Sequence, residues 1–225
     1  MKPWPDAFKG QHMPVSGGTQ YVRVGGSGPA VVLLHGFGDT GDMWVPLATV
    51  LMTDHTVVVP DLRGMGLSSH PEGGYEKTAQ ARDLAAILDQ LKLDKVELVT
   101  HDIGNMVGYA FAALYPSRAT KWVVMDAPLP GLGHWDDQLK NAKTWHFNFR
   151  GPDVERLVAG RERILLDRFY NELSANIPPR STKRPATTTP RSMRVPAPFI
   201  TLSAASSPLL PKMPSTISNC GPRAS

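Results

Sequence analysis

The sequence predicts an α/β protein: a doubly wound, mostly parallel sheet with helices on both faces and a helical cap over one end. Three observations carry that reading. Short apolar runs end on His or Asp and lack strict polar alternation, as strands buried on both faces do. Helix-patterned segments separate those runs. After Asp126 the rhythm stops, and Pro, Gly, Trp and His take over.

Taken in order, QYVRV at 20–24 is the first expected strand. AVVLL at 30–34 ends at His35-Gly36, and TVVVP at 56–60 ends at Asp61. VELVT at 96–100 runs into His101-Asp102, and KWVVM at 121–125 runs into Asp126. Between them, residues 78–91 place Ala81, Leu84, Ala85, Ile87 and Leu88 on one helical face, leaving Asp83 and Asp89 to water. Residues 104–114 are small and apolar, and Tyr115-Pro116 ends them. No strand is expected over 127–152. Residues 153–174 read as one or two helices, with Leu157, Val158, Ile164, Leu165, Phe169 and Leu173 as the apolar stripe. Helices placed after a series of strand–helix units suggest a cap over the carboxyl ends of the strands, where substrate pockets occur. The expected division is a core at 18–130, a partial cap at 131–177 and a tail at 178–225.

Composition narrows the function. The 225 residues suffice for one ample core. Residues 1–177 carry 17 Lys/Arg against 20 Asp/Glu, a net of −3, while residues 178–225 carry 7 Lys/Arg and no acid. The basic balance therefore belongs to the tail, and the charge argument for nucleic-acid binding by the body fails. With 10 prolines and 14 Ser/Thr, the tail reads as mostly disordered. A natural flexible tail, a partly folded end with one strand near 195–203, and a stretch read in the wrong frame all fit it. No apolar run reaches the roughly 18 residues of a membrane span, and MKPWPDAFKG lacks the apolar core of a secretory signal. A cytoplasmic protein with no membrane partner is expected. One cysteine, Cys220, excludes an internal disulfide. The histidines are scattered without H-E-x-x-H spacing, and Gly25-Gly26-Ser27-Gly28 precedes a strand, so neither a metal nor a nucleotide cofactor is expected.

The strongest chemical signal is VELVTHDIGNMVGYAFA at 96–112. A strand runs into Asp102, and Gly104 and Gly108 open a small-residue helix, which is the strand–turn–helix setting of a nucleophile elbow with Asp in the serine position. Thr100 replaces the usual first Gly. A helix N-terminus favours negative charge, and a carboxylate there can attack carbon to form an ester that water later cleaves. An N-cap is the bland alternative. In VVLLHGFGDTGDMW at 31–44, the backbone N–H of Phe37 is placed to meet a developing negative charge together with the N–H of Ile103; a plain tight turn is the alternative. His35 reads as structural. Asp126 ends a strand beside that of Asp102 and is suited to orient a histidine, or else it caps a turn. Arg63 in Asp61-Leu62-Arg63-Gly64 reads as a lock between loops. Trp145 and His146 either line an apolar pocket, offering a donor to a leaving oxygen or halide, or simply pack the cap.

Together HGFGDT (35–40), DLRGMGLSSHP (61–71), HDIGNMVGYAFAALYP (101–116), MDAPLPG (125–131) and the cap segment 145–176 resemble the α/β-hydrolase superfamily, in its epoxide hydrolase and haloalkane dehalogenase branch. That resemblance implies an Asp nucleophile at Asp102, a triad acid at Asp126, and oxyanion donors at Phe37 and Ile103. It also implies a cap histidine at His146 that helps hold the epoxide oxygen. The dehalogenase branch typically has Trp after its nucleophile; Ile103 stands here, which favours a small apolar epoxide over a halogenated substrate. The family's near-terminal Gly-His, which supplies the general base, has no counterpart: no histidine follows His146. Impaired turnover is therefore expected, with a haloalkane or haloacid dehalogenase, or an inactive truncated or frameshifted relative, as the alternatives.

Overall fold

The computed structural model describes residues 3–148 and 152–172. One sheet contains β1 (Lys9–Val15), β2 (Gly18–Gly25), β3 (Ala30–Leu34), β4 (Thr56–Pro60), β5 (Val96–His101) and β6 (Ala119–Met125). Their spatial order is β1-β2-β4-β3-β5-β6. The last four run parallel, whereas β2 is antiparallel to both β1 and β4. The helices described are α1 (Val45–Leu51), α2 (Lys77–Gln90), α3 (Ile103–Leu114), α4 (Trp135–Lys140), α5 (Pro152–Val158) and α6 (Glu162–Glu172). Short 3₁₀ segments cover Gly41–Trp44 and Ala142–Asn148.

The unalternating strands are apolar because they serve two layers. Val32 and Leu34 of β3 pack with Leu84, Ile87 and Leu88 of α2 and Val107 and Phe111 of α3. Their neighbours Val31 and Leu33 face the other way, onto Trp44, Ala48, Val57 and Val59. Every side chain of β3 is thus buried, the condition that erases a period of two.

Several expectations are corrected. β1 and its hairpin partner extend the sheet beyond the strand expected at 20–24. The signal is weak because most β1 side chains are exposed, with Met13 buried among them. Pro14 is tolerated on this edge strand, and Gly17, at φ 76°, makes the turn. Asp83 does not face water. It is 1% exposed and takes a bidentate pair from Arg63, Nε to Oδ2 and Nη2 to Oδ1, both at 2.9 Å. Arg63 also donates to the carbonyls of Ser16 and Gly73, so it does lock loops, tying the β1–β2 turn and the β4–α2 connection to helix α2. In the cap, Leu157 and Ile164 are exposed at 59% and 71%. The buried stripe is Val154, Val158 and Leu165, packed against Phe37 and Phe169, because α5 and α6 are separate helices that each turn a narrow face inward. β6 is also less buried than a covered parallel strand, being the edge of the sheet among the described residues: Val123, Val124 and Met125 are 53%, 48% and 41% exposed. Leu173 and the expectations for the tail, including the strand near 195–203, lie outside the described residues.

Candidate active site

The site is assembled where β3 and β5, adjacent and parallel, end together. β3 delivers His35, Gly36 and Phe37; β5 delivers His101 and Asp102. Asp102 has φ 52° and ψ −122°, a backbone conformation that a side-chain-bearing residue adopts only under constraint, at a cost of about 1–3 kcal/mol. The turn is enforced by close approaches. A Cβ on Gly36 would lie 2.7 Å from His101 Nδ1 and 2.8 Å from Asp102 Cβ. One on Gly104 would lie 2.6 Å from the Leu34 carbonyl oxygen and 2.8 Å from that of His35. Glycine at both positions lets the helix begin against the end of β3.

The consequence is a short hydrogen bond: Phe37 N–H donates to Asp102 Oδ1 at 2.7 Å. Ile103 opens α3 and is buried, so its N–H belongs to the first helical turn, which has no acceptor inside the helix. The Phe37 peptide is itself held. His35, fully buried, donates from Nδ1 to the Gly36 carbonyl (2.9 Å), the other end of that same peptide unit, and accepts from Leu62 N–H at Nε2 (2.8 Å). Since a backbone N–H can only donate, Nε2 is the acceptor and Nδ1 carries the proton. Burial pushes the His35 pKa down, against the Gly36 carbonyl and the charges of Asp61, Asp39 and Asp102. His35 is a neutral clip between β3 and β4.

Asp126 stands at the end of β6 with φ 48°. Its Oδ1 accepts from Ala127 N–H at 2.8 Å. The link between this loop and the elbow is Asn105, which nothing in the sequence reading singled out. Asn105 is fully buried, and its Nδ2 donates to the carbonyls of Met125 (3.0 Å) and Asp126. Its Oδ1 accepts from Thr100 Oγ1 at 2.6 Å, which in turn accepts from Trp122 Nε1 at 2.7 Å. An amide inside the otherwise apolar run IGNMVGYAF was the available signal. Lys77 was also missed. It is half-buried in the first turn of α2, where burial pushes its pKa down to about 8 and the charge of Asp102 opposes the fall.

The cap closes over this end. His146 lies 5.0 Å, ring centre to ring centre, from Phe169, and Phe169 lies 5.9 Å from Phe37. Gly38 (φ 69°) approaches Leu166 of α6. Trp145, 39% exposed, is covered by the Arg168 guanidinium at 4.7 Å. The structure thus brings Asp102, Phe37 and Ile103 together, sets Asp126 on the neighbouring strand end, and connects His146 to Phe37 through Phe169. The core of the arrangement is a carboxylate at a sharp turn, with one oxygen held by a backbone donor. Among the described residues, no helix is long and apolar enough to cross a membrane.

Residues 29–208 match the family described as alpha/beta hydrolase fold, a match that continues past residue 176, where the motif resemblance stops. A fluoroacetate dehalogenase of Burkholderia sp. is 36% identical over 132 residues, 56% of this chain and 43% of its own. A soluble epoxide hydrolase of Corynebacterium sp. (strain C12) is 30% identical over 171 residues, 73% and 59% of the two chains. The crystal structure of Cfl2 from Burkholderia cenocepacia superposes with a TM-score of 0.68 at 33% identity, covering 76% of this chain and 61% of that one. The chain therefore spans less than two thirds of the length of each of these relatives.

Proposed function

The chain belongs to the α/β-hydrolase fold family, with epoxide hydrolases and dehalogenases among its relatives, and from that premise we propose that it opens small apolar epoxides by nucleophilic attack from Asp102. The observation that carries the reading is the 2.7 Å bond from Phe37 N–H to Asp102 Oδ1 on a backbone strained to φ 52°. One carboxylate oxygen is immobilised, so the other is presented for attack.

In this reading an Asp102 oxygen forms a bond to one epoxide carbon as the carbon–oxygen bond of the ring breaks. The electron pair passes to the ring oxygen, which accepts a hydrogen bond from His146 and takes up a proton from solvent water, leaving a hydroxyalkyl ester. Water then adds to the ester carbonyl carbon. The negative charge of the tetrahedral intermediate falls on the oxygen facing the Phe37 and Ile103 N–H groups. Collapse breaks the bond between the carbonyl carbon and the alkyl oxygen, returning the carboxylate and releasing a diol. That second stage needs a base near water. Asp126 is the acid suited to orient one, but the histidines of this sequence end at His146. The proposal is therefore fast ester formation and slow hydrolysis.

The test is incubation of the purified chain with a small terminal epoxide, followed by intact mass and by diol release. One adduct per molecule and little diol are expected. Multiple turnovers that vanish in Asp102→Asn but survive replacement of every histidine would overturn the missing-base argument. A second reading, dehalogenation, is favoured by the fluoroacetate dehalogenase relative. It keeps Asp102 as nucleophile and expels halide instead of opening a ring, so alkylation by a haloacetate in preference to the epoxide would select it.

A further inference from the structure

The cap holds an arrangement that the reaction scheme above does not use. Arg168 Nη1 lies 3.3 Å from His146 Nδ1, joining α6 to the 3₁₀ segment that carries the histidine. The same guanidinium lies over the Trp145 ring at 4.7 Å and reaches the Phe169 ring at 6.0 Å. His146 is flanked by Phe147 at 4.7 Å and Phe169 at 5.0 Å, ring centre to ring centre. The histidine is thus packed between two aromatic rings, one tilted and one edge-on, with a cation at one of its two nitrogens.

A guanidinium has five N–H donors and no acceptor. A hydrogen bond between it and a ring nitrogen therefore has one polarity, in which Arg168 donates and Nδ1 accepts through its lone pair. An imidazole whose Nδ1 is an acceptor carries its proton on Nε2 and is neutral. We propose that Arg168 is a positioning residue that fixes His146 as the Nε2–H tautomer, making Nε2–H the ring's sole donor and excluding His146 as a base through Nδ1. The aromatic contacts to Trp145 and Phe169 keep the guanidinium in that place, as cation–π packing does. The tautomer assignment stands on the cap geometry alone. Its use in catalysis, as a donor to the leaving oxygen, rests on the function proposed above.

Two measurements on the full chain test it separately from that function. Imidazole ¹⁵N NMR at mildly alkaline pH should show His146 protonated at Nε2, with Nδ1 bare. In Arg168→Met, which keeps an apolar stem against Trp145, a substantial Nδ1–H population should appear. Protonation at Nδ1 in the unmodified chain would overturn the proposal, and so would an unchanged tautomer in an Arg168→Met protein whose amide spectrum shows it folded. The second measurement is the rate of ester formation on Asp102. Losing one aligned donor should slow it about tenfold in Arg168→Met and in His146→Ala, and the double variant should be no slower than His146→Ala. Additive losses would contradict action through His146. If the unmodified chain forms no ester, the function proposed above fails while the NMR result still decides the tautomer.

Discussion

Replacing Gly104 by Ala probes the contact on which the elbow depends. The added Cβ would start 2.6 Å from the Leu34 carbonyl oxygen and 2.8 Å from that of His35. A comfortable carbon–oxygen contact is about 3.3 Å or more, so the start of α3 must retreat by about 0.7 Å from rigid backbone. Overpacking of this kind costs about 1–3 kcal/mol, and the helix preference of Ala over Gly returns up to about 1 kcal/mol. Both contacts are with backbone, which cannot yield as a side chain does, so the cost falls in the upper part of that range and the net loss is about 1–2 kcal/mol. Gly108 provides the control. Its Cβ would meet Thr100 Cγ2 at 3.0 Å and Trp122 Nε1 at 3.3 Å, side chains that can yield, so Gly108→Ala should be close to neutral. The same retreat would stretch the 2.7 Å bond from Phe37 to Asp102 towards about 3.4 Å, beyond normal N–H···O geometry, and should slow ester formation about tenfold or more. Urea unfolding followed by tryptophan fluorescence gives the stabilities, and adduct mass against time gives the rates. The reasoning fails if Gly104→Ala unfolds at the same urea concentration as the parent, or if Gly108→Ala proves the costlier change.

Asp102→Gly removes the side chain from a strained φ of 52° and should raise stability by about 1 kcal/mol in the same assay while abolishing the adduct; a loss of stability would show that the Phe37 bond outweighs the strain. Lys77 has a folded-state pKa lowered from 10.5 to about 8 by burial. Between those values the unfolded chain binds the proton more readily, so stability falls as pH drops from 10.5 to 8 and the deficit is constant below that window. Lys77→Met should therefore raise the melting temperature more at pH 7 than above pH 10, and an equal gain at both would contradict the assignment.

The legibility of the molecule from its sequence followed burial. β3 and β4 were readable because strands buried on both faces leave unbroken apolar runs, and the elbow was readable because Asp102 stands directly at a strand end and Gly104 meets backbone carbonyls too closely for a side chain. β1 was not, since its outward side chains are unconstrained and its sole buried hydrophobe, Met13, is no pattern. Asp83 was misread because helical periodicity ranks a charge as a surface residue, whereas its partner Arg63 lies 20 positions away. Asn105 and Lys77 were missed for a related reason. Their roles depend on which strand ends and helix starts converge, and spacing along the chain does not encode that. The cap was legible as helices and illegible in detail: the expected stripe held both Leu157 and Val158 and both Ile164 and Leu165, but neighbouring helical positions point about 100° apart, so only one of each pair turns inward.

The central claim, that Asp102 is the nucleophile, is tested most directly by locating the bond it forms. After exposure to a small terminal epoxide, peptide mass spectrometry should place a single hydroxyalkyl group on Asp102, and Asp102→Asn, with its fold verified by circular dichroism, should carry none. Modification spread over Lys77, Asp39 or Asp126, or an adduct that persists unchanged in Asp102→Asn, would contradict the account.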